Sequence, residues 1–221
     1  MKKYELLTNE TINYFGTTLY RIKALKDFGN VKAGDVGGYI EKEDNLSHEN
    51  NAWVSGDAYV YGNAKVCENA KVSGDAYVCG NAWVYGNAKV SGDAYVCGNA
   101  WVYGNAKVCG NANVCGNANV CGNAKVSGDA YVCENAKVSG DATIKNNNDY
   151  ASVQCFGSEN RSTTFFRLKD GNIGVKSGCF YGTLEEFRNK VKETYKDTYY
   201  AQEYLLIADL MEMRFKNREE N

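Results

Sequence analysis

The chain has 221 residues, which is enough for one or two domains, and its 25 Lys and Arg residues nearly balance 27 Asp and Glu residues. The resulting net charge of −2 provides no general attraction to nucleic acid or to an anionic membrane. The sequence contains neither the apolar stretch of a signal peptide nor a run long enough to span a bilayer, so we expect a cytoplasmic protein with no membrane partner.

Residues 1–50 do not repeat, and we expect them to form an N-terminal β cap and a first, irregular coil. Residues 10–15 and 17–25 are predicted as two short strands around Gly16. A solenoid that is left open exposes an unpaired parallel edge, so a hairpin here has a structural reason to exist. Residues 37–40 and 45–46 look like degenerate first repeat units.

Residues 51–145 are built on a period of six. Sixteen alanines lie six residues apart from Ala52 to Ala142, and each is followed two places later by Val or, at the last, by Ile144. Residues two apart share one face of a strand, while Gly or Glu followed by Asn or Asp supplies a corner. Three units make a triangular coil of eighteen residues that pairs in parallel with the next coil. The pattern predicts a parallel β-helix of about five coils.

Residues eighteen apart stack directly above one another, so the outward positions form three flat faces. Seven of the nine cysteines occupy one outward position of the repeat, where other units carry Ser or Tyr, which argues against a disulfide framework. Four of them form one column: Cys79, Cys97, Cys115 and Cys133. Zinc and iron–sulfur sites need converging thiolates, whereas a straight ladder points its sulfurs in parallel. We therefore predict no metal site and no cofactor.

Aromatic residues are concentrated on two of the faces. One face carries Trp83, Tyr85, Trp101 and Tyr103, and its neighbour carries Tyr77 and Tyr95. An exposed aromatic patch of this kind is typical of a surface that meets a partner, and we expect a homo-oligomer, either a dimer or a trimer. The alternative is stacking within one chain, which contributes roughly 0.2–1 kcal/mol for each pair.

The remaining face carries a column of lysines: Lys71, Lys89, Lys107 and Lys125. A column of aspartates follows at the next corner: Asp57, Asp75, Asp93 and Asp129. Because opposite charges in such columns are predicted to neutralise one another, nucleic acid is not expected as a partner.

After the solenoid, residues 145–149 are predicted to be a hinge or linker, and residues 150–221 a small α+β domain for binding or oligomerisation. Residues 151–156, 163–169 and 173–180 have strand character. The sequence from Thr183 to Glu186 is a capping box that opens a helix, and a second helix is predicted from about residue 200 to 216. The predicted buried positions of the helices are Leu184, Phe187, Val191, Tyr204, Ile207, Ala208, Met211 and Phe215.

The residues around the first turn of this domain suit an anion. Hydroxyl, guanidinium and ammonium groups occur close together there, and such a set suits a phosphate or a nucleotide. The candidate ligand-binding residues are Ser158, Arg161, Thr163, Thr164, Lys169 and Lys176. The alternative is that the hydroxyls satisfy backbone amides of the turn.

No catalytic residue is predicted. The single histidine, His48, lies in the irregular first coil, and no long insertion interrupts the repeats. Cys179 precedes the helix that starts at Thr183, but it has no histidine near it in sequence and is expected to be buried beside Phe180. We therefore expect a protein that is not an enzyme.

Three passages resemble a family of uncharacterised hexapeptide-repeat proteins of phages and prophages. They are residues 21–41, the solenoid, and residues 157–187, with Thr-Thr-Phe-Phe at 163–166 and Gly-Cys-Phe-Tyr-Gly-Thr-Leu-Glu-Glu-Phe at 178–187. The resemblance implies a left-handed β-helix. It also implies a phage or prophage accessory protein in the host cytoplasm. Because the chain combines a rigid scaffold with no recognisable catalytic group, we expect it to display a binding domain and to inhibit or sequester a host-defence protein or a nucleotide signal.

Two other classes stay open on the residues alone. One is a self-assembling or virion-associated structural protein, and the other is an enzyme like the hexapeptide-repeat acyltransferases. Where related segments carry Arg before the Thr-Thr-Phe strand, this chain carries Glu159, with Arg161 two places later.

Overall fold

The computed structural model describes residues 2–216, and a solenoid of stacked parallel strands occupies the middle of this range. The predicted fold class is confirmed: the protein is mainly β, with an N-terminal β cap and a C-terminal α+β region that contains two helices. The left-handed sense of the coil stays a prediction.

The N-terminal segment forms three strands, β1 (Tyr4–Tyr14), β2 (Thr17–Ala24) and β3 (Val36–Ile40), followed by a short 3₁₀ turn. β1 pairs with β2 and β2 with β3, both antiparallel. The first strand begins at Tyr4, earlier than the sequence pattern predicts. This hairpin extends one face of the solenoid beyond its first coil.

Sixteen strands of two residues each build the solenoid. They are β4 (Trp53–Val54), β5 (Tyr59–Val60), β6 (Lys65–Val66), β7 (Lys71–Val72), β8 (Tyr77–Val78), β9 (Trp83–Val84), β10 (Lys89–Val90), β11 (Tyr95–Val96), β12 (Trp101–Val102), β13 (Lys107–Val108), β14 (Asn113–Val114), β15 (Asn119–Val120), β16 (Lys125–Val126), β17 (Tyr131–Val132), β18 (Lys137–Val138) and β19 (Thr143–Ile144). Every strand pairs in parallel with the strand eighteen residues away, as the period requires; Tyr77, for example, lies opposite Tyr95.

The solenoid has about six coils, one more than the sixteen regular units supply. β3 pairs with β5, and Leu46 bridges to Val66, so the two degenerate units complete a first coil with β4. The interior is filled by the Ala and Val columns, whose members are at most 1% exposed. Small side chains are needed because the triangular lumen is narrow.

The corners repeat as regularly as the strands. The corner glycines of the solenoid have φ between +61° and +72°, a backbone region that residues other than glycine rarely adopt. Corner asparagines form ladders in which side-chain amides donate to the next coil, as from Asn81 Nδ2 to Asn99 Oδ1 at 3.0 Å. These bonds link successive coils at the corners.

The N-terminal end of the solenoid is closed by the side chains of Lys3, just before β1, and of Tyr4, the first residue of β1. In each later coil the carbonyl groups accept hydrogen bonds from the coil before it, as Ala70 O accepts from Trp53 N at 3.1 Å. The first coil has no such neighbour. Instead, Lys3 Nζ donates to Ala52 O, and the Tyr4 hydroxyl donates to Leu46 O, both at 2.7 Å. The predicted cap is confirmed, and its function is to satisfy buried carbonyls.

The C-terminal region contains a four-stranded antiparallel sheet in chain order, covered by two helices. The elements are β20 (Tyr150–Phe156), β21 (Arg161–Arg167), β22 (Ile173–Ser177), β23 (Phe180–Thr183), α1 (Leu184–Tyr195) and α2 (Tyr199–Lys216). The predicted single strand 173–180 is wrong, because the chain turns at Gly178, where φ is +56°, and β23 returns beside β22.

The sheet closes the other end of the solenoid through alternate residues of β21. Thr164 and Phe166 point to the last coil: Lys137 N donates to Thr164 Oγ1 at 2.9 Å, and Phe166 joins the solenoid core. Phe165 points the other way and packs with the helices. This is the period-two alternation of a strand, here with both faces buried. One strand therefore links the solenoid to the helical layer.

The expected hinge at residues 145–149 is wrong. The backbone N–H groups of Lys145 and Asn146 donate to the Asp149 carboxylate at 2.7 and 3.2 Å, and Asn147 Oδ1 accepts from Tyr131 N at 2.7 Å. The tract is thus a turn fixed by its own polar side chains and by the last coil.

Both predicted helices are confirmed. Thr183 and Glu186 form a reciprocal capping box, and every predicted buried position of the two helices is buried.

Met1 of the predicted unit 1–50 and residues 217–221 of the predicted unit 150–221 lie outside the described residues. No helix among residues 2–216 is long and apolar enough to cross a bilayer.

Candidate functional site

The two threonines of the predicted anion site are buried on opposite faces of β21. Thr163 is 3% exposed, and its hydroxyl lies 2.8 Å from that of Ser177. Thr164 is fully buried, and its hydroxyl accepts the hydrogen bond from Lys137 N. Both hydroxyls bond to neighbouring groups of the fold, although neither partner is a backbone amide of the turn, and neither hydroxyl faces an open site.

The other predicted members are spread along the sheet. The Ser158 hydroxyl lies 2.8 Å from that of Tyr195 under the helices, while Lys169 follows the opposite end of β21 and bonds to Asp141 O through its backbone. About 26 Å of extended chain separates Arg161 from Lys169. Lys176 lies on β22, opposite Thr164 and Tyr181. The six residues therefore do not surround one space.

Arg161 does lie on an open groove. The groove has a volume of about 420 Å³ and runs between the last coils and the hairpin of β20 and β21. Its solenoid side is formed by Asn117, Asn119, Asn135 and Lys137. Its hairpin side includes Gln154, Cys155, Asn160 and Arg161. This volume is in the usual range for a small-molecule site.

The groove is lined by cations and amides. Lys137 and Arg161 supply the positive charge, the five Asn and Gln amides supply hydrogen-bond donors and acceptors, and no carboxylate is among the described residues that line it. Glu159 lies just outside and accepts a hydrogen bond from Arg161 at 3.1 Å. Both side chains of that pair are more than half exposed, so the pair is weak and an anion can compete for the guanidinium.

Three local features place the hairpin residues of the groove. Cys155 and Asn160 adopt left-handed backbone, with φ of +62° and +48°, and Cys155 lies in a bulge between Val153 and Phe156. Such backbone is costly for a residue like Cys and is concentrated at functional sites. A Cβ atom on Gly178 would lie 3.3 Å from Arg161 Nη1, so the missing side chain leaves room for the guanidinium.

An amide ladder connects the two sides of the groove. Asn117 Nδ2 donates to Asn135 Oδ1 at 3.1 Å, and Asn135 Nδ2 donates to Gln154 Oε1 at 2.8 Å. Gln154 thus continues a corner column of the solenoid into the hairpin. The amides on the floor of the groove are held in fixed orientations by these bonds.

Two of the three tryptophans, Trp83 and Trp101, lie on the same face of the solenoid as this groove. Trp83 and Trp101 are stacked with ring centres 5.9 Å apart and are 39% and 43% exposed. Tyr85 and Tyr103 stack beside them at 4.9 Å. In register, Trp101 lies opposite Asn119, and Asn119 lies opposite Lys137. The aromatic strip, defined as Trp83, Tyr85, Trp101 and Tyr103, therefore leads directly into the groove.

The tyrosine face is partly covered within the chain. Tyr77 and Tyr95 stack with ring centres 4.5 Å apart, but Tyr14 of the N-terminal hairpin packs against Tyr77 at 5.6 Å and against Tyr59 at 5.3 Å. This face is therefore less open to a second copy than the aromatic strip.

Three other sequence-based expectations can be compared with the structure. Cys179 is exposed rather than buried. The lysine column forms no direct ion pair with the aspartate column among residues 2–216, and Asp57 instead pairs with Arg21 at 2.8 Å. His48 stacks on Tyr4 and accepts a hydrogen bond from Lys3 N at 3.2 Å, so it belongs to the N-terminal cap.

The groove is not evident from the sequence pattern. Asn119 and Lys137 occupy outward positions of the repeat, whereas Gln154, Cys155 and Asn160 belong to no repeat or motif. The only signal for these residues was the position of Lys137 near the end of the repeat, because the hairpin that completes the groove folds back from a later segment.

Comparison of the chain with models of known protein families found no match, and a search of curated protein sequences found none either.

Proposed function

We propose that this protein is a non-enzymatic binding protein whose groove and aromatic strip take a small anionic ligand of the nucleotide class. The observation that carries the proposal is one column of the solenoid, in which Trp101, Asn119 and Lys137 follow one another and lead to Arg161. The column offers a ring surface, an amide and a cation in that order.

This order matches the parts of a nucleotide. A base stacks on an exposed indole with about 1–3 kcal/mol of stabilisation, and phosphate oxygens accept charge-assisted hydrogen bonds from Lys137 and Arg161. Two inter-strand spacings, about 9.6 Å, separate Trp101 from Lys137. A mononucleotide is long enough to reach from one to the other along this surface.

Binding is favoured over catalysis because the groove offers no general base. Among the described residues that line it there is no histidine and no carboxylate to act as a general base. His48 is part of the cap at the opposite end of the solenoid. The resemblance to phage and prophage proteins adds a context to this proposal: a rigid binder in the host cytoplasm that sequesters a nucleotide signal or blocks a host-defence protein.

Tryptophan fluorescence provides the test. Trp53 is 6% exposed, whereas Trp83 and Trp101 are open to quenching by a stacked base. The full chain is titrated with ATP, cyclic AMP and cyclic di-GMP at low and high salt. We expect at least one of these nucleotides to quench the fluorescence in a saturable manner. Its affinity should be lower at high salt, because the contacts to phosphate are ionic.

Variants decide whether this quenching reports the groove. Arg161→Ser and Lys137→Gln are each expected to weaken binding about 10-fold or more, since a hydrogen bond to a charged group contributes about 1.5–3 kcal/mol. Lys89→Gln, on another face, is the matched control and should not change the affinity. Absence of binding by all three nucleotides, or equal affinities of groove and control variants, would refute the proposal.

Self-association through the aromatic strip is the second candidate. Its support is the pair of stacked, exposed tryptophans on a flat face, an arrangement suited to an interface between copies. Both ends of the solenoid are capped, which opposes growth into an open filament. Sedimentation of Trp83→Ser with Trp101→Ser should give a smaller assembly than the unaltered chain, and an unchanged mass would exclude this face as the interface.

A further inference from the structure

Four thiols form a continuous column on the tyrosine face. We call Cys79, Cys97, Cys115 and Cys133 the thiol column. Backbone bonds fix its register: Cys79 N donates to Val96 O at 3.0 Å, Cys97 N to Val114 O at 2.9 Å, and Cys115 N to Val132 O at 3.0 Å. All four are free and partly exposed. Neighbouring sulfurs are therefore held about 4.8 Å apart along the solenoid axis.

A tyrosine closes each end of the thiol column. Tyr61 occupies the same position one coil before Cys79, and its backbone N–H donates to Val78 O at 3.1 Å. The Tyr150 hydroxyl lies 3.9 Å from the Cys133 sulfur at the other end. The column is thus a bounded set of four sulfurs, with no serine or other residue between them.

The spacing of the sulfurs does not suit an ion with tetrahedral coordination, but it does suit an ion with linear coordination by two ligands. Among residues 2–216, no group of three or more His, Cys, Asp or Glu side chains is arranged to hold a metal ion. A two-coordinate ion instead lies midway between two sulfurs. Two metal–thiolate bonds of about 2.3 Å laid end to end span about 4.6 Å, close to the inter-strand spacing.

We propose that the thiol column binds soft monovalent metal ions, of the class of Cu(I) and Ag(I), with each ion bridging the sulfurs of two successive coils. Because a thiolate sulfur cannot bond two ions in opposite directions along a straight line, each sulfur serves one ion, and the four sulfurs hold two ions, one for each pair of successive coils. On loading, the four thiols lose four protons and take up two monovalent ions, which leaves two net negative charges and transfers no electron. Soft thiolate ligands are the ones these ions prefer.

The repeat supplies its own controls. The other three solenoid cysteines have no cysteine in the coil above or below: Cys109 lies between Ser91 and Ser127, and Cys121 lies between Tyr103 and Ser139. Serine occupies the same repeat position in other units, so replacing Cys by Ser preserves the coil. A parent variant with Cys67, Cys109, Cys121, Cys155 and Cys179 all changed to Ser isolates the thiol column in the full chain.

Two further variants of this parent contain equal numbers of thiols in different arrangements. Cys115→Ser with Cys133→Ser leaves the adjacent pair Cys79 and Cys97, whereas Cys97→Ser with Cys133→Ser leaves Cys79 and Cys115 two coils apart. Each protein is titrated with Ag(I) nitrate in chloride-free buffer. The number of bound ions is counted by native mass spectrometry, and circular dichroism confirms that the solenoid remains folded.

We expect two ions on the parent, one on the adjacent pair and none held tightly by the separated pair. The affinity of the separated pair should be lower by about 100-fold or more, because simultaneous engagement of two ligands raises affinity by 10² to 10⁴. X-ray absorption should give two sulfur neighbours for each ion. Equal affinity of the adjacent and separated pairs, or three or more sulfurs for each ion, would overturn the proposal.

Discussion

Lys3 makes the stability of this protein depend on pH in a way that can be calculated. The side chain is fully buried at the N-terminal end of the solenoid, where its ammonium donates to Ala52 O at 2.7 Å and to Glu49 O at 3.4 Å. Burial lowers the pKa of Lys3 from 10.5 to about 8, and the positive charge of Lys26 adds to the effect.

The sign of the dependence follows from the proton counts. Between about pH 8 and 10.5 the unfolded chain holds a proton on Lys3 that the folded chain has lost, so the free energy of unfolding rises with pH. At about 1.36 kcal/mol for each pH unit, the interval of 2.5 units corresponds to about 3 kcal/mol. Below pH 8 the group is protonated in both states, and its contribution no longer changes.

The assay compares the unaltered protein with Lys3→Met. Urea unfolding at intervals from pH 7 to 10.5 gives the free energy of unfolding of each protein. Tyrosines also titrate at the upper end, but they are present in both proteins and cancel in the difference. We expect the unaltered protein to gain about 3 kcal/mol relative to Lys3→Met over this range. A difference that stays constant with pH would refute the inference that Lys3 is buried with a lowered pKa.

Three further predictions concern the corners, the C-terminal cap and the groove. Gly92→Ala should lower the free energy of unfolding by about 1–2 kcal/mol because of its left-handed backbone, and by more because its Cβ would lie 3.0 Å from Gly110 N. Gly171 has open space around it, so thermal unfolding should show a smaller loss of stability for Gly171→Ala. Thr164→Val should cost about 1–3 kcal/mol in urea unfolding, because Lys137 N loses its acceptor, while Thr164→Ser should retain most of the stability. Glu159→Gln should strengthen nucleotide binding up to about fivefold by freeing Arg161, and unchanged affinity in the fluorescence titration would contradict that role.

The C-terminal cap shows why part of the candidate site could not be predicted from the sequence pattern. In β21, residues on both faces are buried, so the strand has no alternation of apolar and polar residues to indicate which face meets the solenoid. The Thr-Thr pair was predicted to bind an anion because hydroxyls beside Arg161 suit one. The tertiary structure instead uses Thr164 to cap the last coil and leaves Arg161 at the edge.

The sequence by itself determined the solenoid, its three faces and the contents of each column. The reason is that each coil contacts only its neighbours, so a period of eighteen residues specifies the stacking without any knowledge of distant contacts. Only the tertiary structure decided how the two ends are closed and that the β20–β21 hairpin folds back beside Asn119 and Lys137. Those contacts join segments with no shared period, and they depend on which face of each segment is buried, which is a property of the whole fold.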